Sequence, residues 1–197
     1  MDTRELDRRT LVVIDKIVSG VTEADLDRET PCAAWNLGDL LRHQVSENHG
    51  FAVALREGSA PDWEGGTLGP DPYRSYAESV EAVLAAFAED GVLDRQVTIR
   101  EFGTFPAGFA VRMHLVDSVA HGWDLAKTLG LPYEPDEEAV ADALAFAMMI
   151  PADPEDRRSR GTFDVVVETP DHASPLHRFL GLVGRDPHWG RSASAGI

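Results

Sequence analysis

Apolar residues recur at spacings of three and four along most of the chain, the pattern of helices that bury one face. Residues 3–19 carry Leu6, Leu11, Ile14 and Ile17 on one side and stop at Gly20. Residues 23–28 suit a short helical turn ahead of the break at Thr30-Pro31. A second long helix is predicted over 37–56, with Leu37, Leu40, Leu41, Phe51 and Leu55 as its core face and Gly58 beyond it. Residues 59–71 form a Pro/Gly-rich connection, and 71–89 a third helix with Tyr76, Val80, Val83, Leu84 and Phe87 inward. Residues 92–104 connect onward, with a short extended piece at Val97, Ile99 and Phe102-Gly103. The fourth helix covers 106–129 and ends at Gly130, with Pro132 beyond. An Ala-rich fifth covers 136–149 and stops before Pro151. The charged stretch 152–162, rich in arginine, reads as a mobile surface loop. Residues 163–168 read as an extended segment, Ser174 caps a last short helix through Val183, and 192–197 are expected to fray.

The fourth helix stands apart from the others. Val111, Met113, Leu115, Val116, Val119, Ala120, Trp123, Leu125, Ala126 and Leu129 make it apolar nearly all round. At about 100° per residue, His114, Asp117, His121 and Asp124 fall in one narrow sector. Carboxylates and imidazoles buried in such a stripe are costly unless they pair or bind a metal. Asp117 and His121 are four residues apart, so both can face one ion from adjacent turns. An ordinary hydrogen-bonded pair is the other reading of the same spacing.

A metal needs further ligands, and His43 is the best remaining candidate. Asn36 is an N-cap for the second helix, with Asp39 at the third helical position as in a capping box. His43 then falls at the edge of the core face, roughly 60° from Leu40. His43, Asp117 and His121 would form a facial site between two helices, with water or substrate in the open positions. Two imidazoles and one carboxylate suit zinc, iron, nickel or manganese. Glu47, Asn48 and Gln44 project into the sector of Leu40, Phe51 and Leu55. Glu47 and Asn48 are candidates to bind substrate, or else hydrogen-bond to neighbouring helices. His114 is a candidate substrate contact, a fourth ligand, or a satisfied core histidine. Asp124 either orients an imidazole or makes a helix-interface contact. Trp35 and Trp123 read as core aromatics. Cys32 packs beside the cap of the second helix, because no cluster of positive charge is present to activate its thiol. His49, His172, His177 and His188 are isolated, and no chemistry is assigned to them.

Three stretches, in order, resemble the DinB-like superfamily, in its actinobacterial branch related to mycothiol-dependent maleylpyruvate isomerase. They are TPCAAWNLGDLLRHQVSENHGFAVALREG at 30–58, FGTFPAGFAVRMHLVDSVAHGWDLAKTLG at 102–130 and SPLHRFLGLVGRDPHW at 174–189. The resemblance implies an all-α fold, an antiparallel four-helix bundle with a short C-terminal extension. The bundle with its metal site would occupy 1–151 and the extension, not an independent domain, 152–197. In that family a histidine on the second long helix and a carboxylate-xxx-histidine on a later one hold the metal. The matching positions are His43, Asp117 and His121. The isomerase has glutamate where this chain has Asp117, a shorter arm that still offers an anionic oxygen. The resemblance further implies a divalent ion, zinc first, with nickel, iron or manganese as alternatives, and mycothiol as co-substrate. The reaction implied is metal-dependent thiol S-transfer or isomerisation of a small electrophile. The isomerase carries a C-terminal domain that helps form its active site, and residues 152–197 are too few to reproduce it. A non-enzymatic metal- or small-ligand-binding protein and a metal-dependent hydrolase are the alternatives.

Composition narrows the partners. With 34 acidic and 18 basic residues among 197, the formal net charge is −16. That argues against nucleic acid and anionic membranes, which require a basic face. The single cysteine excludes an internal disulfide and suits a reducing cytoplasm. No apolar run approaches the ~20 residues of a membrane span, and the charged N-terminus does not read as a signal peptide. The resemblance adds a small-molecule thiol and an electrophile as the expected partners, and the chain is expected to be a monomer or homodimer.

Overall fold

The computed structural model describes residues 2–160 and 163–190, with the side chain of residue 160 excepted. The chain is mostly helical, with a small two-stranded sheet, and divides into two compact units at Ala139 and Val140.

In the first unit the long helices are α1 (Thr3–Val18), α2 (Leu37–Glu57), α3 (Pro72–Phe87) and α4 (Ala107–Leu129). Each starts and stops where local chemistry dictates. Asp2 caps α1 through the Arg4 amide, and Asp71 caps α3 with Pro72 in its first turn. The α2 capping box forms as the sequence predicts. Asn36 Oδ1 accepts from the Asp39 amide at 2.9 Å, and Asp39 Oδ2 accepts from the Asn36 amide at 3.2 Å. Gly58 and Gly130 close α2 and α4 with left-handed φ of 89° and 69°.

The helices pack α1 on α4, α2 on α3, α2 on α4 and α1 on α3. Leu11, Ile14, Leu37, Leu40, Leu41, Leu55, Phe87 and Leu125 are fully buried among them. Gly122 permits the α1–α4 approach beside His121. A Cβ there would meet Ile14 at 2.9 Å and the Tyr133 hydroxyl at 2.8 Å.

The expected extended piece is a full hairpin. Strand β1 (Gln96–Ile99) pairs antiparallel with β2 (Gly103–Pro106), placing Val97 opposite Phe105 and Ile99 opposite Gly103. Val97 and Ile99 are buried, and the hairpin packs on α2 and α4. The Thr98 amide donates to Gly58 O at 2.8 Å, which ties β1 to the end of α2. Helix α4 then leaves β2 directly, its first amide, Ala107, donating to Arg95 O at 2.9 Å.

The boundary between the units falls inside α5 (Glu137–Ala147). The second unit also holds α6 (Pro154–Arg160) and α7 (Pro175–Leu182). Helix α6 corrects the expectation of a mobile loop over 152–162 as far as residue 160, and residues 161 and 162 lie outside the described residues. Asp153 Oδ1 accepts from the amides of Glu155 and Asp156, and Pro154 opens the helix. Arg157 is buried and donates to three carbonyl oxygens, of Pro151, Asp164 and Leu182, at 2.7–2.9 Å. Residues 163–168 are not a strand, although the Val167 amide donates to Gly181 O at 2.9 Å. The predicted fraying of 192–197 lies outside the described residues. Among the described residues no helix is long and apolar enough to cross a membrane.

Candidate metal centre

Helices α2 and α4 bring His43, Asp117 and His121 together. One ligand atom from each lies within 4.8 Å of the others. Both imidazoles turn Nε2 toward the same oxygen: His43 Nε2 and His121 Nε2 are each 3.4 Å from Asp117 Oδ1. His43 and Asp117 keep 21% and 25% of their side-chain exposure, so the cluster opens to solvent on one side. The Trp35 ring, expected in the core, is only half-buried and lies 4.6 Å from the His43 ring and 5.8 Å from that of His121.

Two of the three ligand atoms, those of His121 and Asp117, are oriented by a neighbour. His121 Nδ1 faces Asp124 Oδ2 at 2.9 Å, which leaves Nε2 for the cluster. Gln44 Nε2 donates to Asp117 Oδ2 at 2.8 Å, which leaves Oδ1 facing the histidines. Such outer partners fix the ring tautomer and raise ligand basicity in metal sites. Burial disfavours a charged His121, but Asp117 and Asp124 outweigh it and push the imidazole up to about 9. Burial works against an ionised Asp117 too, yet His121 and His43 hold the carboxyl well below its ordinary range.

Glu47 lies just outside the cluster. Its Oε1 is 3.9 Å from His43 Nδ1, and its main partner is the guanidinium of Arg100. Burial and the nearby Asp117 carboxylate push the Glu47 carboxyl up from its ordinary value.

His114 and Asn48 belong to a different constellation. His114 Nδ1 faces Asp7 Oδ1 at 2.8 Å, and Nε2 faces Asn48 Oδ1 at 2.9 Å. Asn48 Nδ2 donates to Ser79 Oγ at 2.8 Å, and Ser79 Oγ donates to Tyr76 O at 2.7 Å. The chain of bonds links α1, α4, α2 and α3. Because the serine proton goes to a carbonyl, Ser79 accepts from Asn48 and the amide oxygen faces His114. Both ring nitrogens therefore meet acceptors, the arrangement of an imidazolium. Burial opposes that charge, but Asp7 holds His114 above its ordinary value. The Phe51 and Phe87 rings stand edge-on to it at 5.1 and 5.3 Å. With both nitrogens engaged and 1% exposure, His114 offers no atom to a ligand or a metal.

Sequence reasoning missed Arg100 and Asp7. Arg100 comes from the hairpin turn, 53 positions from Glu47, and Asp7 from α1, 107 positions from His114. Neither spacing leaves a local signal.

The model of the mycothiol maleylpyruvate isomerase N-terminal domain family matches residues 8–126. The chain belongs to this family. The match spans α2, the hairpin and most of α4, and so includes every residue of the cluster. Two uncharacterized proteins from two strains of Mycobacterium tuberculosis are each 23% identical over 186 residues, covering 94% of this chain and 98% of theirs. A crystal structure of the mycothiol-dependent maleylpyruvate isomerase is similar with a TM-score of 0.62 at 17% identity, covering 74% of this chain and 68% of that one. A point mutant of that enzyme gives a TM-score of 0.59 at 18% identity, with the same coverage. At these identities the likeness is one of fold.

Proposed function

We propose that this protein is a metal-dependent thiol S-transferase or isomerase that joins a mycothiol-type thiol to a small electrophile. The observation that carries this reading is the convergence of His43 Nε2, His121 Nε2 and Asp117 Oδ1 on one partly exposed point. Two imidazoles and a carboxylate with orienting partners are the donor set of a three-ligand catalytic site with room for an exogenous ligand. A divalent ion held there, zinc first among zinc, nickel, iron and manganese, supplies a Lewis acid that makes a thiol nucleophilic at neutral pH. His43, Asp117 and His121 hold the ion, while Asp124 and Gln44 aim two of them. Trp35 shields the histidine side of the site, and Glu47 and Arg100 flank it. The thiol partner accords with the names of the structural neighbours and with family membership.

The antiparallel four-helix bundle is part of the same reading, supported by the mutual packing of α1–α4. So are the assignment of the metal-bearing bundle to residues 1–151 with an extension at 152–197, and a cytoplasmic location. Reading the site as closed storage loses its fourth ligand, since both nitrogens of His114 are taken.

The test combines the metal-loaded protein with a low-molecular-weight thiol and a panel of small electrophiles. Conversion that requires both metal and thiol, and that His121→Ala abolishes, is the expected result. Conversion without thiol would replace the reading with hydrolysis. No conversion by a fully loaded protein across the panel would favour a binding role.

A further inference from the structure

Glu47 poses a problem for an open metal site. It lies one turn beyond His43 on α2, is buried, and feels the Asp117 carboxylate of the cluster, while its Oε1 is 3.9 Å from His43 Nδ1, the ring nitrogen that does not face Asp117. A buried carboxylate beside a divalent cation coordinates it unless something holds the carboxylate elsewhere. Glu47 is nonetheless outside the group of donors that lie within 4.8 Å of one another.

Arg100 accounts for this. Its Nη2 donates to Glu47 Oε1 and, at 3.2 Å, to the Trp63 carbonyl. Its guanidinium carbon lies 5.1 Å over the Trp63 ring. Trp63 is pressed onto α2 at Gly50, where any Cβ would collide with the indole, so the platform under the guanidinium is itself fixed. Arg100 has a φ of 45°, and among the described residues it is the one non-glycine residue with a positive φ. A left-handed arginine is a costly way to turn a hairpin in which glycine would serve. Such conformations persist where the surroundings enforce them, and they cluster at functional sites. Here the turn aims a cation at Glu47 from outside the helices.

We propose that Arg100 is a positioning residue that draws the Glu47 carboxylate away from the metal centre and so keeps a coordination position open for an exogenous ligand. The inference rests on the metal reading above. A purely structural ion pair would make Arg100 matter for folding and leave coordination untouched.

The test uses cobalt(II) as the metal and 2-mercaptoethanol as the exogenous ligand. Affinity is read by chelator competition, and coordination by the visible absorption spectrum before and after thiol. Wild type is expected to bind cobalt and change its spectrum with thiol. Arg100→Ala frees Glu47 to coordinate: cobalt binds about 10-fold or more tightly, the scale of outer-shell changes, and the thiol response disappears. Arg100→Ala combined with Glu47→Gln restores the response, and Arg100→Lys keeps it. Glu47→Gln alone leaves the cobalt spectrum and its thiol response as in wild type. This variant keeps the proposal open to refutation even if Arg100→Ala fails to fold, because a weakened cobalt site in Glu47→Gln would show Glu47 to be a ligand already. An unchanged thiol response in a folded Arg100→Ala, judged by circular dichroism, would also overturn the proposal. If folded wild type takes up no cobalt, the metal reading itself fails and the role of Arg100 falls with it.

Discussion

Helix α4 carries two histidine–aspartate sites less than two turns apart, and they do opposite things. His114 is matched atom for atom: Asp7 on one nitrogen, Asn48 on the other, and 1% exposure. His121 is matched on one nitrogen only. Its Nε2 points, with that of His43, at a single oxygen 3.4 Å away, longer than a good hydrogen bond. Both histidines lie on α4 and each pairs with an aspartate, that of His114 coming from α1 and that of His121 from α4 itself. What separates a structural network from a ligand site is convergence: donor atoms aimed at a common point, at distances that suit an ion between them better than each other. Residual exposure on the His43 and Asp117 side supplies the route in.

The sharpest way to break this comparison is to remove one histidine from each site. His114→Ala leaves the Asp7 carboxylate buried without its cation and should destabilise the protein by about 3–5 kcal/mol. Metal stoichiometry should be unchanged. Urea unfolding of the metal-free protein, beside a metal titration, measures both.

The second test uses pH. In the metal-free protein His121 is raised from 6.5 to about 9. A raised folded-state value contributes stability that is complete below 6.5 and is lost as pH climbs through about 9. The contribution is about 3 kcal/mol at most. Metal loading requires a neutral Nε2 and so displaces this proton. Apparent metal affinity should therefore rise with pH up to about 9. Metal-free stability should fall over the same window. His114 is shifted in the same direction but has no metal to compete for its proton. Unfolding curves and metal titrations between pH 6 and pH 10 would separate the two. A metal affinity that does not vary with pH would contradict the assignment.

Third, Asp124→Asn and Gln44→Ala remove orienting partners without touching a ligand. Each should weaken metal binding by about 10- to 100-fold and leave the His114 network intact. Smallest is Asn36→Ala, which uncaps α2, the helix that serves both sites. It should cost about 1 kcal/mol in unfolding free energy and leave metal affinity within error.

How far these sites could be read from sequence follows from the range of the interactions. The α4 stripe was visible because helical periodicity is local, and the same holds for the Asn36–Asp39 capping box that sets the phase of α2 and thus of His43. The pairing of α2 with α4 is not local and came from resemblance. Asp124 as the partner of His121 was legible from a spacing of three residues, whereas Asp7 as the partner of His114 was not. Arg100 was hidden for a second reason. Nothing in the Ile99–Gly103 stretch marks a non-glycine residue for positive φ. The charge of 152–162 points to a loop, whereas Asp153-Pro154 is a helix start of the kind seen at Asn36.

The most direct measurement is elemental analysis of the purified protein grown with ample metal, beside His43→Ala, His121→Ala and His114→Ala. The account predicts near-stoichiometric metal in the wild type and in any folded His114→Ala, and none in the other two. Metal retained in His43→Ala or His121→Ala, or lost only in His114→Ala, would contradict it.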